Sequence, residues 1–136
     1  VSADALQPVF EVVQTVARER NLDPLLIIAV IGIESRFNPF SQSPMGAQGL
    51  MQIIPRFHQE KIPQTAGDLP FLDPVVNVRI GSQILQDAIR RQGGLVEGLQ
   101  SYAGAIDDEE KAYANKVLAE KQRLEQVARR RDLSPA

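Results

Sequence analysis

The sequence predicts an all-α domain. Two observations carry that reading: apolar residues recur at spacings of three and four rather than alternating, and the short apolar runs lie between helix start and stop signals. A first helix is expected from about Asp4 or Pro8 to Arg20, with Leu6, Val9, Phe10, Val13, Val16 and Ala17 on one face. Asn21-Leu22 is a turn, and Asp23-Pro24 supplies a cap followed by proline at the first helical position. The second helix, ending near Glu34, is apolar almost all round, which makes it central and puts its last turn at the edge of the core, where a cleft can form. Residues 38–49 change to Pro, Ser, Gln and Gly and read as a loop of special backbone geometry, the kind that often carries sites. The apolar run 50–54, stopped by Pro55, is expected to form one or two helical turns, and 56–72 to be loop. Asp73-Pro74 repeats the cap signature and opens a helix to about Arg91, which Gly93-Gly94 ends. A shorter helix is expected over 95–103. Asp107-Asp108 then caps a charged helix reaching about Arg131, whose Tyr113, Val117, Leu124 and Val127 form too few heptads for a long coiled coil and suggest a packed arm.

The bulk numbers remove several function classes. At 136 residues the chain fits one domain, large enough to bury roughly two-thirds of its unfolded surface. With no cysteine, disulfide frameworks and thiolate metal sites are excluded. A net charge of -2 leaves no basic footprint for nucleic acid, since Arg129-Arg130-Arg131 is short and terminal. No apolar run approaches the roughly 20 residues of a membrane span, so a soluble chain is expected. It begins at Val1 with no leader, which suggests a trimmed segment of a longer, exported product. His58 is the only histidine, which rules out a His-rich metal site; a surface position after Pro55 is expected for it. Asp68, Asp73, Asp107 and Asp108 read as turn and cap residues, and the segment 46–49 lacks the Lys-Ser/Thr ending of a phosphate loop. No cofactor or metal is expected.

Glu34 is the candidate reactive group. It ends the greasy run 25–33 and precedes the polar turn Ser35-Arg36-Phe37-Asn38-Pro39. Burial penalises a charged carboxylate, and the negative end of a helix dipole pushes the same way, so this Glu has the setting of a general acid. The plainer alternative is a solvated Glu in a last helical turn.

The chain from Glu34 onward carries a resemblance. Glu34-Ser35, Phe37-Asn38-Pro39, then Ser43-Pro44-Met45-Gly46-Ala47-Gln48-Gly49-Leu50-Met51-Gln52 with Pro55, resembles the soluble lytic transglycosylase family of the lysozyme-like, goose-type superfamily. Asp73-Pro74 with Asn77 and Gly81 looks like the family's next helix, and residues 99–104 with Tyr113 and Val117 resemble its last blocks. The match covers about 25–118, leaving 119–136 as a helical C-terminal extension of a single domain spanning 1–136.

The resemblance implies a lysozyme-like fold with a glycan-binding cleft and a bacterial cell-wall enzyme that cleaves the bond between N-acetylmuramic acid and N-acetylglucosamine in peptidoglycan. Glu34 would be its single acid/base, closing a 1,6-anhydro ring without water. Around it, the resemblance points to Ser43, whose counterpart faces the catalytic carboxyl, and to Tyr102, whose counterpart orients the substrate's acetamido group. Gln52 is a candidate for bonding N-acetyl groups, while Met51 and Tyr113 are substrate-side candidates that also suit core packing. Gly46 and Gly49 permit positive torsions and close ligand approach. One departure stands out: Ala103 replaces the asparagine usual after the tyrosine. The expected partner is a peptidoglycan glycan strand, met by a monomer in the periplasm or envelope. A stand-alone enzyme and a component of a secretion machine both suit the sequence. A goose-type hydrolytic lysozyme and a weakly active glycan-binding scaffold are the alternatives.

Overall fold

The computed structural model describes residues 3–63, 67 and 69–133. Asp68 and the end of the expected extension, 134–136, lie outside the described residues. Five α-helices make the frame: α1 (Ala3–Arg20), α2 (Pro24–Ser35), α3 (Pro74–Gln92), α4 (Leu95–Tyr102) and α5 (Ala112–Leu133), with short 3₁₀ turns at Pro55–Phe57, Gln59–Lys61 and Pro70–Leu72. The segment 56–72, expected to be loop, is therefore partly wound. The starts of α2 and α3 have a physical cause. Asp23 accepts the Leu25 N–H at 2.8 Å, and Asp73 accepts those of Val75 and Val76 at 2.9 and 3.2 Å, satisfying donors that a helix cannot pair internally. Gly93, at φ +79°, ends α3 in the left-handed conformation that glycine adopts freely. The acidic pair before α5 acts later than expected. Asp108 accepts the N–H groups of Glu110 and Ala112 at 3.0 Å each, but Lys111 at φ +56° delays the helix until Ala112.

α2 sits between α1 and α5, while α3 packs on α1 and α4. Leu26, Ile27, Ala29, Val30 and Ile31 of α2 are buried against Val9, Val13, Val16 and Ala17 of α1 and Ala114 and Val117 of α5. A nearly all-apolar helix thus takes the centre, and burial of these side chains contributes about 1.5–3 kcal/mol for each large one. α5 departs from its expected stripe after Leu124, since Val127 is 40% exposed. No helix among the described residues is long and apolar enough to cross a membrane.

Residues 50–54 do not form the expected helical turns. Gly49 at φ +78° and Gln52 at φ +54° are left-handed, which a right-handed helix cannot accommodate, and isolated antiparallel bridges pair Gln42 with Gln48 and Gln48 with Ile53. Leu50, Met51 and Ile53 are nevertheless fully or almost fully buried. Their apolarity serves the core, and backbone geometry is set by the loop around them.

Candidate active site

Glu34 occupies the last turn of α2. Immediately beyond it, Arg36 and Phe37 both take left-handed conformations, at φ +51° and +66°, and the Arg36 N–H closes the helix on Gly32 O at 3.1 Å. Two consecutive non-glycine residues in that region are strained, and the packing of Phe37 on Phe10, 6.0 Å between ring centroids, helps to hold them. The chain thereby turns sharply away and leaves the Glu34 carboxyl at the edge of the core.

That carboxyl is under opposing influences. Burial pushes its pKa above the ordinary glutamate range and is the largest effect; the Tyr113 hydroxyl, donating to Oε2 at 2.8 Å, and the charge of Lys116 pull the other way. Among the described residues, no Asp or Glu is one of the causes of that shift. Tyr113 is fixed from behind: buried Gln100 of α4 accepts the N–H of Ala114 at 2.8 Å and donates to Ala105 O at 2.8 Å, tying the start of α5 to α4. The Tyr113 phenol is itself held protonated, pushed up by burial and by the neighbouring Glu34 and Tyr102, so it acts as a donor.

The loop residues spend most of their polarity on the loop. Ser43 Oγ accepts the Ala47 N–H at 3.0 Å, which ties it to the turn and leaves its own proton to donate. Gln52 donates both amide protons internally, to Ser41 O at 3.0 Å and Gly49 O at 2.9 Å, which leaves Oε1 as its remaining polar atom. Met51 does not present its side chain to a ligand: it is fully buried against Gly81, where an added Cβ would lie 2.5 Å from its Sδ. Tyr102 donates to the Met51 carbonyl at 2.6 Å. Its phenol is raised by burial and, less, by the nearby Glu34 charge, which puts it electrostatically close to the carboxyl without bonding to it.

Asn77, seen in the sequence only as part of a helix start, is the staple of this loop. Fully buried, it accepts the Met51 N–H at 2.8 Å and donates to Gln48 O at 2.9 Å and Phe71 O at 2.8 Å. Gly49 is required beside it, because a Cβ there would collide with Phe71 O and the Asn77 amide. A polar residue in the first turn of a helix bound for the core was the available signal, since such a residue, once buried, must be hydrogen-bonded to something.

A cavity of about 290 Å³ adjoins these residues, bounded by Ile54, His58, and Ile84 and Arg91 of α3, and reaching Gln52, Tyr102 and Ala103. His58 is not the surface histidine expected: it is half-buried, its Nδ1 is buried without a partner, and burial pushes its pKa below the ordinary value. Among the described residues no group of three or more His, Cys, Asp or Glu side chains is arranged to hold a metal ion.

Comparison with known proteins gives the chain's family and fold relatives. Residues 11–124 match the family described as the transglycosylase SLT domain. A transglycosylase of Enterobacteria phage PRD1 is 30% identical over 114 residues, covering 80% of this chain and 41% of the phage protein. The soluble lytic murein transglycosylase of Salmonella typhimurium is 36% identical over 81 residues, covering 56% of this chain and 13% of its own length. Among solved structures, an inactive mutant of lytic transglycosylase Slt from Pseudomonas aeruginosa superposes with a TM-score of 0.72 at 23% identity, over 85% of this chain and 24% of that one. The chain thus spans well under half the length of each of these relatives. The all-helical architecture is that of the Slt neighbour, and the match over most of its length places the chain in the transglycosylase SLT domain family.

Proposed function

We propose that this domain is a peptidoglycan lytic transglycosylase that cleaves the β-1,4 bond between N-acetylmuramic acid and N-acetylglucosamine and leaves a 1,6-anhydro end, with Glu34 as single acid/base. The observation that carries the reading is the poise of Glu34: burial favours its protonated form, while Tyr113 and Lys116 favour the carboxylate. A group serving both halves of one reaction needs access to both states. Protonated Glu34 gives its proton to the glycosidic oxygen as the bond to the muramic C1 breaks. The muramic N-acetyl carbonyl stabilises the cationic centre, which removes the need for a second protein carboxylate. Glu34, now charged and supported by the Tyr113 hydroxyl, takes the proton of the sugar's 6-hydroxyl as that oxygen bonds to C1. Two-carboxylate glycosidases place their acids roughly 5 to 9.5 Å apart, whereas the substrate-assisted route needs no second acid.

Other residues take supporting roles. Gln52 Oε1 is suited to accept an acetamido N–H of the glycan. Ser43 and Tyr102 frame the site through the loop. The names of the relatives support a murein substrate and hence a bacterial envelope or periplasmic setting. The test is to digest peptidoglycan with the purified domain and with Glu34→Gln, then weigh the released muropeptides. The expected result is fragments one water lighter than hydrolytic products, with the rate falling about 10³-fold in the variant. Reducing-end products would mean a hydrolytic lysozyme, and binding without cleavage by either protein would mean a scaffold.

A further inference from the structure

Tyr113 stands where a helix is least able to place a side chain by itself. α5 begins at Ala112, so the N–H groups of Ala112, Tyr113 and Ala114 come before the first bond of the helix's own ladder, Asn115 N–H to Lys111 O at 3.0 Å. The chain entering that turn is bent out of helical geometry, with Gly104 at φ +70° and Lys111 at φ +56°. First turns of this kind fray unless their donors are capped. Yet this turn carries the hydroxyl that donates to Glu34 Oε2 at 2.8 Å. Two side chains from outside the helix supply the caps. Asp108 accepts the Ala112 N–H at 3.0 Å, and Gln100 of α4, only 2% exposed, accepts the Ala114 N–H at 2.8 Å. Gln100 Nε2 donates in turn to Ala105 O at 2.8 Å, and the Ala105 N–H returns to Gln100 O at 2.8 Å, so the amide is locked at both ends.

Only a side-chain amide fills this place, since it accepts with one atom and donates with the other; an aliphatic side chain does neither, and a carboxylate cannot donate. Gln100 also lies two residues before Tyr102 on the same helix, so one buried amide sets the spacing between the helices that carry the two tyrosines. We propose that Gln100 is a positioning residue for the reaction: by capping Ala114 from α4, it holds the first turn of α5 where the Tyr113 hydroxyl reaches Glu34. Without the cap the turn gains freedom, the bond to Glu34 is made for only part of the time, and the carboxylate form loses its donor. The other titratable groups that act with Glu34 are Lys116, one turn further along α5, and Tyr102. The consequence for turnover rests on the lytic transglycosylase reading; the linkage from Gln100 to Glu34 does not.

The experiment reads Glu34 directly, through a pH titration of its carboxyl ¹³C resonance in two variants. Gln100→Met keeps the length of the side chain and removes both polar contacts; Gln100→Asn leaves room for a water at the orphaned N–H, which favours folding. Both are expected to raise the Glu34 pKa in the direction of Tyr113→Phe and by no more than that variant does. Turnover should fall about three- to ten-fold with KM changed less than about two-fold. Placed in the Tyr113→Phe background, either substitution should move the Glu34 titration no further, because its effect passes through the hydroxyl, whereas a displaced Lys116 would still act there. A folded Gln100 variant with an unmoved Glu34 titration, or a shift that adds in full to that of Tyr113→Phe, would overturn the assignment and leave Gln100 as packing alone. Failure of the transglycosylase reading would look different: the titrations would shift as described while the unaltered domain released no anhydro products.

Discussion

The last turn of α2 and the loop 38–54 are built in opposite ways. In and around the loop, Ser43, Gln52 and Tyr102 are engaged with backbone groups, and Asn77 ties together three more points of the chain beneath them. At the end of α2 a single carboxyl is half-buried, with one hydrogen bond and one nearby cation. Polar groups used for shape are paired internally, because an unmet buried donor or acceptor costs about 1–3 kcal/mol. The group proposed to react is kept short of full pairing, since a carboxylate with several strong bonds would no longer take up a proton near neutral pH.

That contrast can be broken from either side. The largest stability effect belongs to the loop. Asn77→Ala orphans the Met51 N–H and the Gln48 and Phe71 carbonyls together, and chemical denaturation should show a loss of about 3 kcal/mol or more. A loss under about 1 kcal/mol would mean the loop holds itself without the staple. Tyr113→Phe attacks the other side and should leave stability nearly intact while cutting turnover about ten-fold. The deprotonated half-reaction loses its donor, and the pH–rate profile should move to higher pH as Glu34 becomes harder to ionise. An unmoved profile would detach Tyr113 from the reacting group.

The smallest effect is in the stability of Glu34→Gln. Because folding raises the Glu34 pKa, the folded state binds this proton more tightly than the unfolded chain does. Its stabilising contribution is complete below the unfolded value near 4.5 and is lost as pH rises through the higher folded pKa. A neutral Gln escapes that loss, so the variant should melt a few degrees higher at pH 7, on the order of 1 kcal/mol, with the advantage disappearing by about pH 4. Equal melting temperatures at both pH values would indicate that burial does not act on this carboxyl.

The helical frame is legible in the sequence largely because α2 and α3 announce their own ends. Asp23-Pro24, Asp73-Pro74 and Gly93-Gly94 work through local hydrogen bonds and torsions that depend little on the rest of the molecule. The run 50–54 misleads for the opposite reason: its apolar residues are fixed by a buried asparagine 26 positions after Met51, a tertiary cause that no local pattern records. The same holds for the site. Glu34 stands out as a carboxyl ending an apolar helix, whereas the partner of that carboxyl, Tyr113, lies 79 residues away in what reads as a packing stripe. His58 is less exposed than its place after Pro55 suggests, because burial in a loop follows the path of the backbone rather than a period.

The most direct test of the proposed chemistry is the ionisation of Glu34 itself, followed by the carboxyl ¹³C resonance through a pH titration of the unaltered domain and of Tyr113→Phe. A pKa above the ordinary glutamate range is expected in the first and a further rise in the second. A Glu34 that titrates at or below 4.5, or that shifts downward when the Tyr113 hydroxyl is removed, would contradict it.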